Sequence, residues 1–353
     1  MTAPSGKLAP AAFEKWIAPH LGLRRLEVLV GPRSGADCAI VRMPGGRVMA
    51  ATTDPLSIVP CLGLAASARL SCHLLASDLW TSALAPAYAT VDFDLPPSLP
   101  EAAFGEYWRA MSAEWETLGV AVIAGHTGRY TEREGTLIGS ATLLGFGEEQ
   151  RYLTPGFARP GDTVIVSKGC AIEAAAIAAH LVPERLRERV GAGGVERARA
   201  LLAKVSVVAE CRALVALGLH ERGVTALHDA TEGGMLGGLI ELAKASGHDL
   251  SVARARIPVS DEARGACEAM GGLDPYWTLA EGALIATVAP GAAVAALTAL
   301  TDLGLEAAEI GAVVPGSGKL RVSEPSGAVS VIAEPEPDPW WPAYDRAVKE
   351  GWR

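Results

Sequence analysis

The sequence predicts a mixed α+β protein with two domains. Its 353 residues are about twice the length of a typical domain, and half of them are hydrophobic, enough for two cores. Strand and helix patterns alternate in both halves, but hairpins interrupt the order, which disfavours a pure doubly wound sheet. A charged, Pro-containing stretch separates the halves. We expect an N-terminal domain over 1–148, a linker over 149–160, a C-terminal domain over 161–335 and a Pro/Trp-rich tail over 336–353.

Hydrophobic periodicity predicts the elements of the N-terminal half. They are an amphipathic segment over 11–21, a hairpin of strands 39–41 and 48–52, helices over 63–76 and 104–118, and strands over 88–93, 120–124 and 137–146. In the second helix, Phe104, Trp108, Met111 and Trp115 recur at helical spacing. A stripe of this kind is expected to pack in the core rather than to bind a ligand.

The same patterns continue in the C-terminal half. They predict strands over 162–167, 283–288 and 305–313, and helices over 172–180, 181–202, 210–219, 239–245 and 292–303. A glycine-rich break at 191–194 interrupts the long helix. The tail alternates proline with acidic residues over 334–339, which predicts a stiff extended segment. Trp340 and Trp341 follow it, and we expect them to dock on the protein.

Charge and cysteine usage exclude several classes of function. The formal net charge is −9, and no block of Lys and Arg stands out, which disfavours a nucleic-acid or membrane partner. None of the six cysteines forms a Cys-x-x-Cys pair, which disfavours zinc and iron–sulfur sites. The sequence shows no signal-peptide pattern and no apolar run of about 18 residues. We therefore expect a cytoplasmic protein.

Four aspartates lie at turns or strand ends: Asp37, Asp54, Asp78 and Asp229. Carboxylates collected from separate loops suit a hard cation such as Mg²⁺, which binds one or two of them together with substrate phosphates. Each one alone is more often a cap or a turn former. Only the set of four favours a metal site.

The last of these aspartates begins a segment with the spacing of a helix cap. Asp229 and Glu232 stand three residues apart before an apolar run, as in a capping box. Gly233 and Gly234 would also let a phosphate approach the start of that helix. The chain contains neither a P-loop nor a dinucleotide-binding glycine motif after a strand.

Five motifs together resemble the aminoimidazole-ribonucleotide (AIR) synthase superfamily over about residues 30–320. They are Gly35-Ala36-Asp37-Cys38, Thr52-Thr53-Asp54, Ser77-Asp78-Leu79, Gly125-His126-Thr127 and His228-Asp229-Ala230-Thr231-Glu232-Gly233-Gly234. Lys168 to Glu173 and Leu279 to Gly282 are similar to the family as well. The resemblance implies a two-domain PurM-like fold whose N-terminal mixed sheet forms a barrel with a second copy, and hence a homodimer.

The resemblance also implies the chemistry. Members bind ATP with Mg²⁺ and phosphorylate an amide, a carboxylate, a phosphate or a selenide. The metal ligands carried over are Asp37, Asp54, Asp78 and Asp229, and the further cofactor-binding positions are Thr53, Thr127, Thr231, Gly233 and Gly234. Lys168 is a candidate for offsetting transition-state charge, with an ordinary surface lysine as the alternative. Phosphoryl transfer needs mainly positioning and charge neutralisation.

The chain departs from the family at two acidic positions. The family's paired aspartates are Ala36-Asp37 here, and its Gly-Asp-Thr is Gly125-His126-Thr127. An imidazole in place of a carboxylate favours a softer metal; His126 is otherwise a catalytic base, a phosphate donor or a structural residue.

The subfamily that looks most similar is the hydrogenase expression/formation protein E type, which modifies a C-terminal cysteine. The last cysteine here is Cys267, so that self-modification is not available. We therefore expect an ATP- and divalent-metal-dependent phosphotransferase with an unknown small acceptor. The alternative is a catalytically reduced nucleotide-binding protein, or a maturation accessory protein with a partner protein.

Overall fold

The computed structural model describes residues 6–132 and 135–353, which form two compact units. The smaller unit comprises Leu26–Gly31 and Asp37–Tyr152. The larger unit comprises the chain up to Arg25, the loop Pro32–Ala36 and Leu153–Arg353. Helices and strands are mixed in the chain, which confirms the predicted mixed α/β fold class.

The described residues contain ten α-helices. They are α1 (Pro10–Trp16), α2 (Leu64–Thr81), α3 (Glu101–Leu118), α4 (Ile172–Leu181), α5 (Pro183–Ala200), α6 (Val208–Ala216), α7 (Gly234–Ser246), α8 (Asp261–Ala269), α9 (Ala293–Asp302) and α10 (Trp340–Glu350). In the part of the chain that the structure describes, no helix is both long enough and apolar enough to cross a bilayer.

The smaller unit is built on one six-stranded sheet. Its strands are β1 (Val28–Val30), β2 (Ala39–Met43), β3 (Arg47–Ser57), β4 (Pro86–Leu95), β5 (Ala121–Arg129) and β6 (Leu137–Glu148). Their order across the sheet is β1-β2-β3-β6-β4-β5, and among these neighbours only β4 and β5 run parallel. The predicted hairpin is confirmed as β2 and β3.

One face of this sheet carries the core of the smaller unit. Helices α2 and α3 contact each other, and α2 packs on β3 and β6. Met111 and Trp115 of the aromatic stripe on α3 are buried, as expected. Phe104 and Trp108 are only half-buried, and both contact Phe93 edge-on, at 5.0 and 5.7 Å between ring centroids.

The larger unit is built on a seven-stranded sheet. Its strands are β7 (Thr163–Ser167), β8 (Val224–Ala230), β9 (Asp249–Ala253), β10 (Ala283–Val288), β11 (Ala307–Val314), β12 (Leu320–Ser323) and β13 (Val329–Ile332). Their order is β13-β12-β9-β11-β7-β10-β8, with β9 and β12 parallel and the other neighbours antiparallel. Every residue of β8 and β10 is buried, so these strands form the centre of the core.

Six elements of the larger unit were not predicted: strands β8, β9, β12 and β13 and helices α8 and α10. Strand β8 was not predicted, because a strand buried on both faces has no polar alternation to reveal it. The tail does not remain extended, since α10 begins directly after the proline-rich segment. Its Pro342 lies in the first turn, where no backbone N–H is needed inside the helix. Trp340 is fully buried, which confirms that it docks.

Candidate functional site

Two of the predicted aspartates lie together in the smaller unit. Asp37 stands just before β2, and Asp78 lies near the end of α2. Thr52 on β3 donates a hydrogen bond from Oγ1 to Asp78 Oδ2 at 2.9 Å. The Cys38 thiol donates to the main-chain oxygen of Asp78 at 3.3 Å. These contacts fix Asp78 between β2, β3 and α2.

The pKa of the Cys38 thiol indicates that negative charge lies at this corner. Burial raises its pKa well above the ordinary value, and the carboxylates of Asp37 and Asp78 raise it further. Both carboxylates therefore lie near the same sulfur. The neutral thiol packs beside them without adding a third charge.

Asp54 belongs to the same corner, but Thr53 does not. Side chains alternate along a strand, so Asp54 shares the helix-covered face of β3 with Thr52, two residues away. Thr53 points to the opposite face, where its hydroxyl bonds the Thr142 hydroxyl at 2.7 Å. The structure therefore brings Asp37 and Asp78 to the same sulfur, places Asp54 on the same face of β3 as Thr52, and places Thr53 on the other side of the sheet. Among the described residues, Asp37, Asp54 and Asp78 do not form a group whose ligand atoms all lie within 4.8 Å of one another.

His126 and Thr127 lie elsewhere in the smaller unit. In the strand register, Asp54 is level with Gly125 across β6 and β4, three strand spacings or about 14 Å away. His126 is exposed on β5, and its Nε2 lies 3.0 Å from the Tyr130 hydroxyl. Within this unit the structure does not bring His126 to the aspartates.

A groove of about 480 Å³ runs beside His126 and Thr127, and apolar side chains from α3, including Phe104 and Trp108, form its opposite wall. Gly125 at its edge has a packing role, because a Cβ there would lie 2.4 Å from the Val91 oxygen. The glycine of the Gly-His-Thr motif therefore lets β5 approach β4.

Lys168 is an internal structural residue. Its side chain is 6% exposed and forms an ion pair with the buried carboxylate of Glu210. Its ammonium also donates to the main-chain oxygens of Lys204 at 3.0 Å and Ser206 at 2.6 Å. Burial lowers its pKa, and the Glu210 carboxylate opposes that shift. These contacts use all three ammonium donors, so in this structure the ammonium is held by Glu210 and two main-chain oxygens.

The predicted phosphate-facing segment lies in the larger unit, at the end of β8 and the start of α7. Asp229 is buried on β8 opposite Leu284 of β10. The neighbouring His228 lies with Nε2 3.2 Å from Glu241 Oε2. Burial disfavours the Glu241 carboxylate, but the His228 hydrogen bond and the charge of Lys7 lower its pKa overall.

The N-terminus of α7 already holds an anion from the same chain. The Gly233 amide donates to Asp338 Oδ2 at 2.8 Å, and the Trp340 amide donates to Asp338 Oδ1 at 2.8 Å. Gly234 has a φ of +65°, and a Cβ there would lie 2.6 Å from the Tyr276 oxygen. The glycine pair therefore permits close packing, and the expected phosphate position at Gly233 is occupied by the tail carboxylate.

The chain's N-terminal segment contacts the same place. The Lys7 ammonium donates to the Thr231 hydroxyl at 2.7 Å, and the Lys7 amide donates to Glu232 Oε2 at 2.5 Å. The Thr231 hydroxyl therefore accepts a hydrogen bond from the Lys7 ammonium in the place where a phosphate contact was expected. Sequence reasoning missed both Lys7 and Asp338, because each is far along the chain from α7.

Glu173 is a further acidic residue to which sequence reasoning gave no role. It lies in the first turn of α4 and is 5% exposed. Burial raises its pKa to about 8, with smaller contributions from Glu232 and Asp338. Burial likewise raises the pKa of Asp338 to about 6, and the charge of Glu232 raises it as well. Hydrogen bonds from backbone amides oppose this shift. A strongly perturbed buried acid is a common feature of functional sites.

Two family models match most of the chain. The N-terminal domain of AIR synthase related protein matches residues 35–146, and the C-terminal domain of the same family matches residues 159–323. The chain belongs to the AIR synthase related family. The matched ranges contain the four aspartates, His126, Lys168 and Glu173, whereas Lys7 and Asp338 lie outside both.

Individual relatives agree with this assignment. The chain is 31% identical over 288 residues to carbamoyl dehydratase HypE from Rhizobium leguminosarum bv. viciae, covering 80% of this chain and 78% of that protein. The structure of Escherichia coli HypE, a hydrogenase maturation protein, is 26% identical, with a TM-score of 0.68 and coverage of 83% and 87%. A structure of HypE in complex with ATP shares the fold at 22% identity, with a TM-score of 0.64 and 94% coverage of each chain.

Proposed function

We propose that this AIR synthase related protein is an ATP- and divalent-metal-dependent phosphotransferase. It would activate a small acceptor, such as an amide or a carboxylate, by phosphorylating it. The observation that supports the proposal is that Asp37 and Asp78 lie near the same sulfur, with Asp54 on the face of β3 that Thr52 shares. ATP in the related HypE structure supports the choice of nucleotide.

The donor set at this corner fits Mg²⁺. Its side-chain donors are carboxylate oxygens, which are the ligands that hard divalent cations prefer. Asp37, Asp54 and Asp78 would hold the metal, and the Thr52 hydroxyl orients Asp78. Bound Mg²⁺ would neutralise charge on the triphosphate and favour an in-line geometry. Asp229 in the larger unit stays the proposed fourth carboxylate.

The other residues of the proposal have unequal support. Thr127 and His126 border the groove on β5, where they would contact a ligand bound in that groove. Thr231 stays a proposed phosphate contact once Lys7 is displaced, and Gly233 requires Asp338 to move. Thr53 faces away from the aspartate corner, and Lys168 has no role in the proposed mechanism.

The central experiment measures nucleotide binding and turnover in Asp54→Asn. A carboxamide keeps the side-chain shape but removes the charge that would hold Mg²⁺. Calorimetry with a non-hydrolysable ATP analogue and Mg²⁺ should show at least about tenfold weaker binding, as for loss of a charged ligand contact.

The control for this experiment is Asp302→Asn. Asp302 lies exposed at the end of α9 in the larger unit, so its substitution removes the same charge without touching the aspartate corner or the groove, and binding should stay at the wild-type level. Equal affinities of the wild type and Asp54→Asn would remove the metal role of Asp54.

A catalytically reduced nucleotide-binding or maturation accessory protein is the second candidate. Ala36 and His126 replace acidic residues of the family pattern, and the related HypE proteins are named carbamoyl dehydratases. Such a protein would bind the ATP analogue but show no turnover with amide, carboxylate or phosphate acceptors. Repeated recovery of one partner protein in a pull-down would favour the accessory role.

A homodimer is part of the proposal. Strand β5 is an edge of the six-stranded sheet, and Val122 and Ile123 on it are 42% and 56% exposed. An edge strand with exposed apolar side chains offers unpaired backbone groups and apolar area to a second copy. The arrangement supports contact between two copies through this sheet.

A further inference from the structure

The end of β8 places an imidazole beside one of the predicted metal ligands. His228 and Asp229 are consecutive residues of this strand and are 2% and 1% exposed. A ring nitrogen of His228 and a carboxylate oxygen of Asp229 lie within 4.8 Å of each other, a spacing that suits one shared metal ion. The two residues pair with Ile285 and Leu284 of the buried strand β10, so the backbone that carries them is fixed in the core.

A carboxylate of α7 orients the imidazole. Glu241 lies with Oε2 3.2 Å from His228 Nε2. Burial raises the pKa of Glu241, but the His228 hydrogen bond and the charges of Lys7 and Lys244 lower it overall, so the carboxylate is ionised at neutral pH. An ionised carboxylate only accepts, and the hydrogen of this contact therefore belongs to Nε2. In the neutral ring the lone pair is then on Nδ1.

This arrangement is the one that proteins use to hold a metal-binding histidine. Such a histidine commonly donates its other ring N–H to a carboxylate, which fixes the tautomer and the orientation of the ring. The close packing of α7 on β8 supports the contact here. A Cβ at Gly238, three residues before Glu241, would lie 2.8 Å from Ile285 Cδ1 and 3.5 Å from His228 Cδ2. Glycine at 238 thus lets α7 bring Glu241 to the imidazole.

The donor set indicates the class of metal. Carboxylate oxygens suit Mg²⁺, whereas an imidazole nitrogen suits transition metals such as Zn²⁺ and Co²⁺. Sequence analysis considered an imidazole ligand at His126, but that residue is exposed on β5 in the smaller unit, with Nε2 3.0 Å from the Tyr130 hydroxyl. Within the larger unit, the structure instead places His228 next to Asp229.

We propose that His228 and Asp229 bind a divalent transition-metal ion, and that Glu241 is a positioning residue that holds the imidazole for it. This inference rests on the proposed phosphotransferase function, in which Asp229 is the fourth carboxylate, and it names the class of metal at that residue. The ion would compensate the charge of the buried Asp229. Water or substrate phosphate would complete its coordination.

The test is calorimetry of the full chain with Co²⁺ alone and with Mg²⁺ alone, without nucleotide. The wild type should bind Co²⁺ at least about tenfold more tightly than Mg²⁺. His228→Gln keeps an N–H donor for Glu241 but lacks the imidazole, so its affinity for Co²⁺ should fall at least about tenfold. Its affinity for Mg²⁺ should stay within about threefold of the wild type, because the carboxylates that suit Mg²⁺ are intact. The visible absorption bands of bound Co²⁺ should change with the same substitution.

Two further variants separate a metal ligand from a structural histidine. His248→Gln removes a half-buried histidine of the same unit, just after α7, and should behave as the wild type. Glu241→Gln replaces the orienting carboxylate by an amide and should weaken Co²⁺ binding by about 10–100-fold, as loss of a carboxylate that supports a metal-binding histidine does. This variant keeps the test decisive if His228→Gln does not fold.

Three results would overturn the inference. They are equal affinity for Co²⁺ in the wild type and His228→Gln, no binding of Co²⁺ by the wild type, or cobalt–thiolate absorption bands, which would assign the ion to a cysteine.

Binding of the ATP analogue with Mg²⁺ is measured separately in the same variants. If the wild type binds Co²⁺ through His228 but does not bind the analogue, the phosphotransferase proposal fails and the metal site stands. If the analogue binds while His228→Gln keeps the wild-type affinity for Co²⁺, only the role of His228 fails.

Discussion

At the residue scale, Lys168 shows how burial decides the role of a charged side chain. In the sequence it follows a strand and opens a family motif, which suggested a catalytic cation. In the structure it neutralises Glu210, whose Oε1 also accepts a hydrogen bond from Ser167 Oγ at 3.2 Å. A buried pair of this kind is costly to break, because the partner that remains is an uncompensated charge.

Lys168→Met is therefore expected to lower the free energy of unfolding by about 3–5 kcal/mol, since Glu210 would be left unpaired. Urea denaturation followed by circular dichroism measures this change. Lys204→Met is the matched control, because only the main-chain oxygen of Lys204 contacts the pair. A stable Lys168→Met protein without ATP turnover would instead support the catalytic role.

Glu173 predicts an unusual dependence of stability on pH. Its pKa is about 8 in the folded protein and 4.5 for an ordinary glutamate. The folded state therefore holds a proton that the unfolded chain loses, so stability falls as pH rises from about 4.5 to 8. The slope approaches about −1.4 kcal/mol per pH unit for one group.

Urea denaturation at several pH values should show that slope in the wild type and a flatter profile in Glu173→Gln. Asp338, whose pKa burial raises to about 6, also faces this group, so a shallower slope up to about pH 6 remains. Glu336→Gln should keep the full slope. A Glu173→Gln profile parallel to the wild type would show that Glu173 is ionised in the folded protein.

At the element scale, the start of α7 is shaped by three distant segments. The tail supplies Asp338, the N-terminal segment supplies Lys7, and the loop before β10 contacts Gly234. A carboxylate at a helix N-terminus satisfies free amides and interacts favourably with the helix dipole. The tail therefore stabilises α7 in the way that a local capping residue would.

Asp338→Ala is expected to lower the free energy of unfolding by about 1–3 kcal/mol, because the amides of Gly233 and Trp340 lose their acceptor. It should also speed proteolysis within 334–339. Glu336→Ala is the control, since its side chain is exposed in the same segment. Equal stability of the two variants would show that Asp338 does not hold the tail.

At the scale of the whole molecule, the residues of the proposed functional site are divided between the two units. The smaller unit holds three of the proposed metal ligands, and the larger unit holds Asp229 and the adjacent His228. The two matched family domains follow the same division of the sequence. Association of two copies is the remaining proposal at this scale.

Ile123→Lys tests that association. A charge on an exposed edge strand blocks strand-to-strand contact between copies. Sedimentation at micromolar concentration should show a dimer for the wild type and a shift towards monomer for the variant. Val294→Lys is the control, because Val294 is 76% exposed on α9 and belongs to the larger unit. A wild-type monomer under these conditions would contradict the dimer.

Much of the fold follows from local sequence signals. The hairpin of β2 and β3, the helices α2 to α4 and the kink of α5 at Gly191 were predicted from periodicity and turn residues. The order of the five motifs identified the family. Strand β8 was missed because all of its residues are buried, polar ones included, which leaves no alternation to reveal it. Helix α10 was missed because it begins after a proline-rich segment, and the short elements β9, β12, β13 and α8 were missed as well.

The sequence by itself determined the fold class, the family and the set of candidate aspartates, because period, turn chemistry and motif order are properties of neighbouring residues. Only the tertiary structure decided that Lys168 neutralises Glu210, that Asp338 caps a helix 105 residues away and that Glu173 is buried among acids. Burial and electrostatic pairing depend on contacts between distant segments, and these contacts set both the charge state and the accessibility of each group.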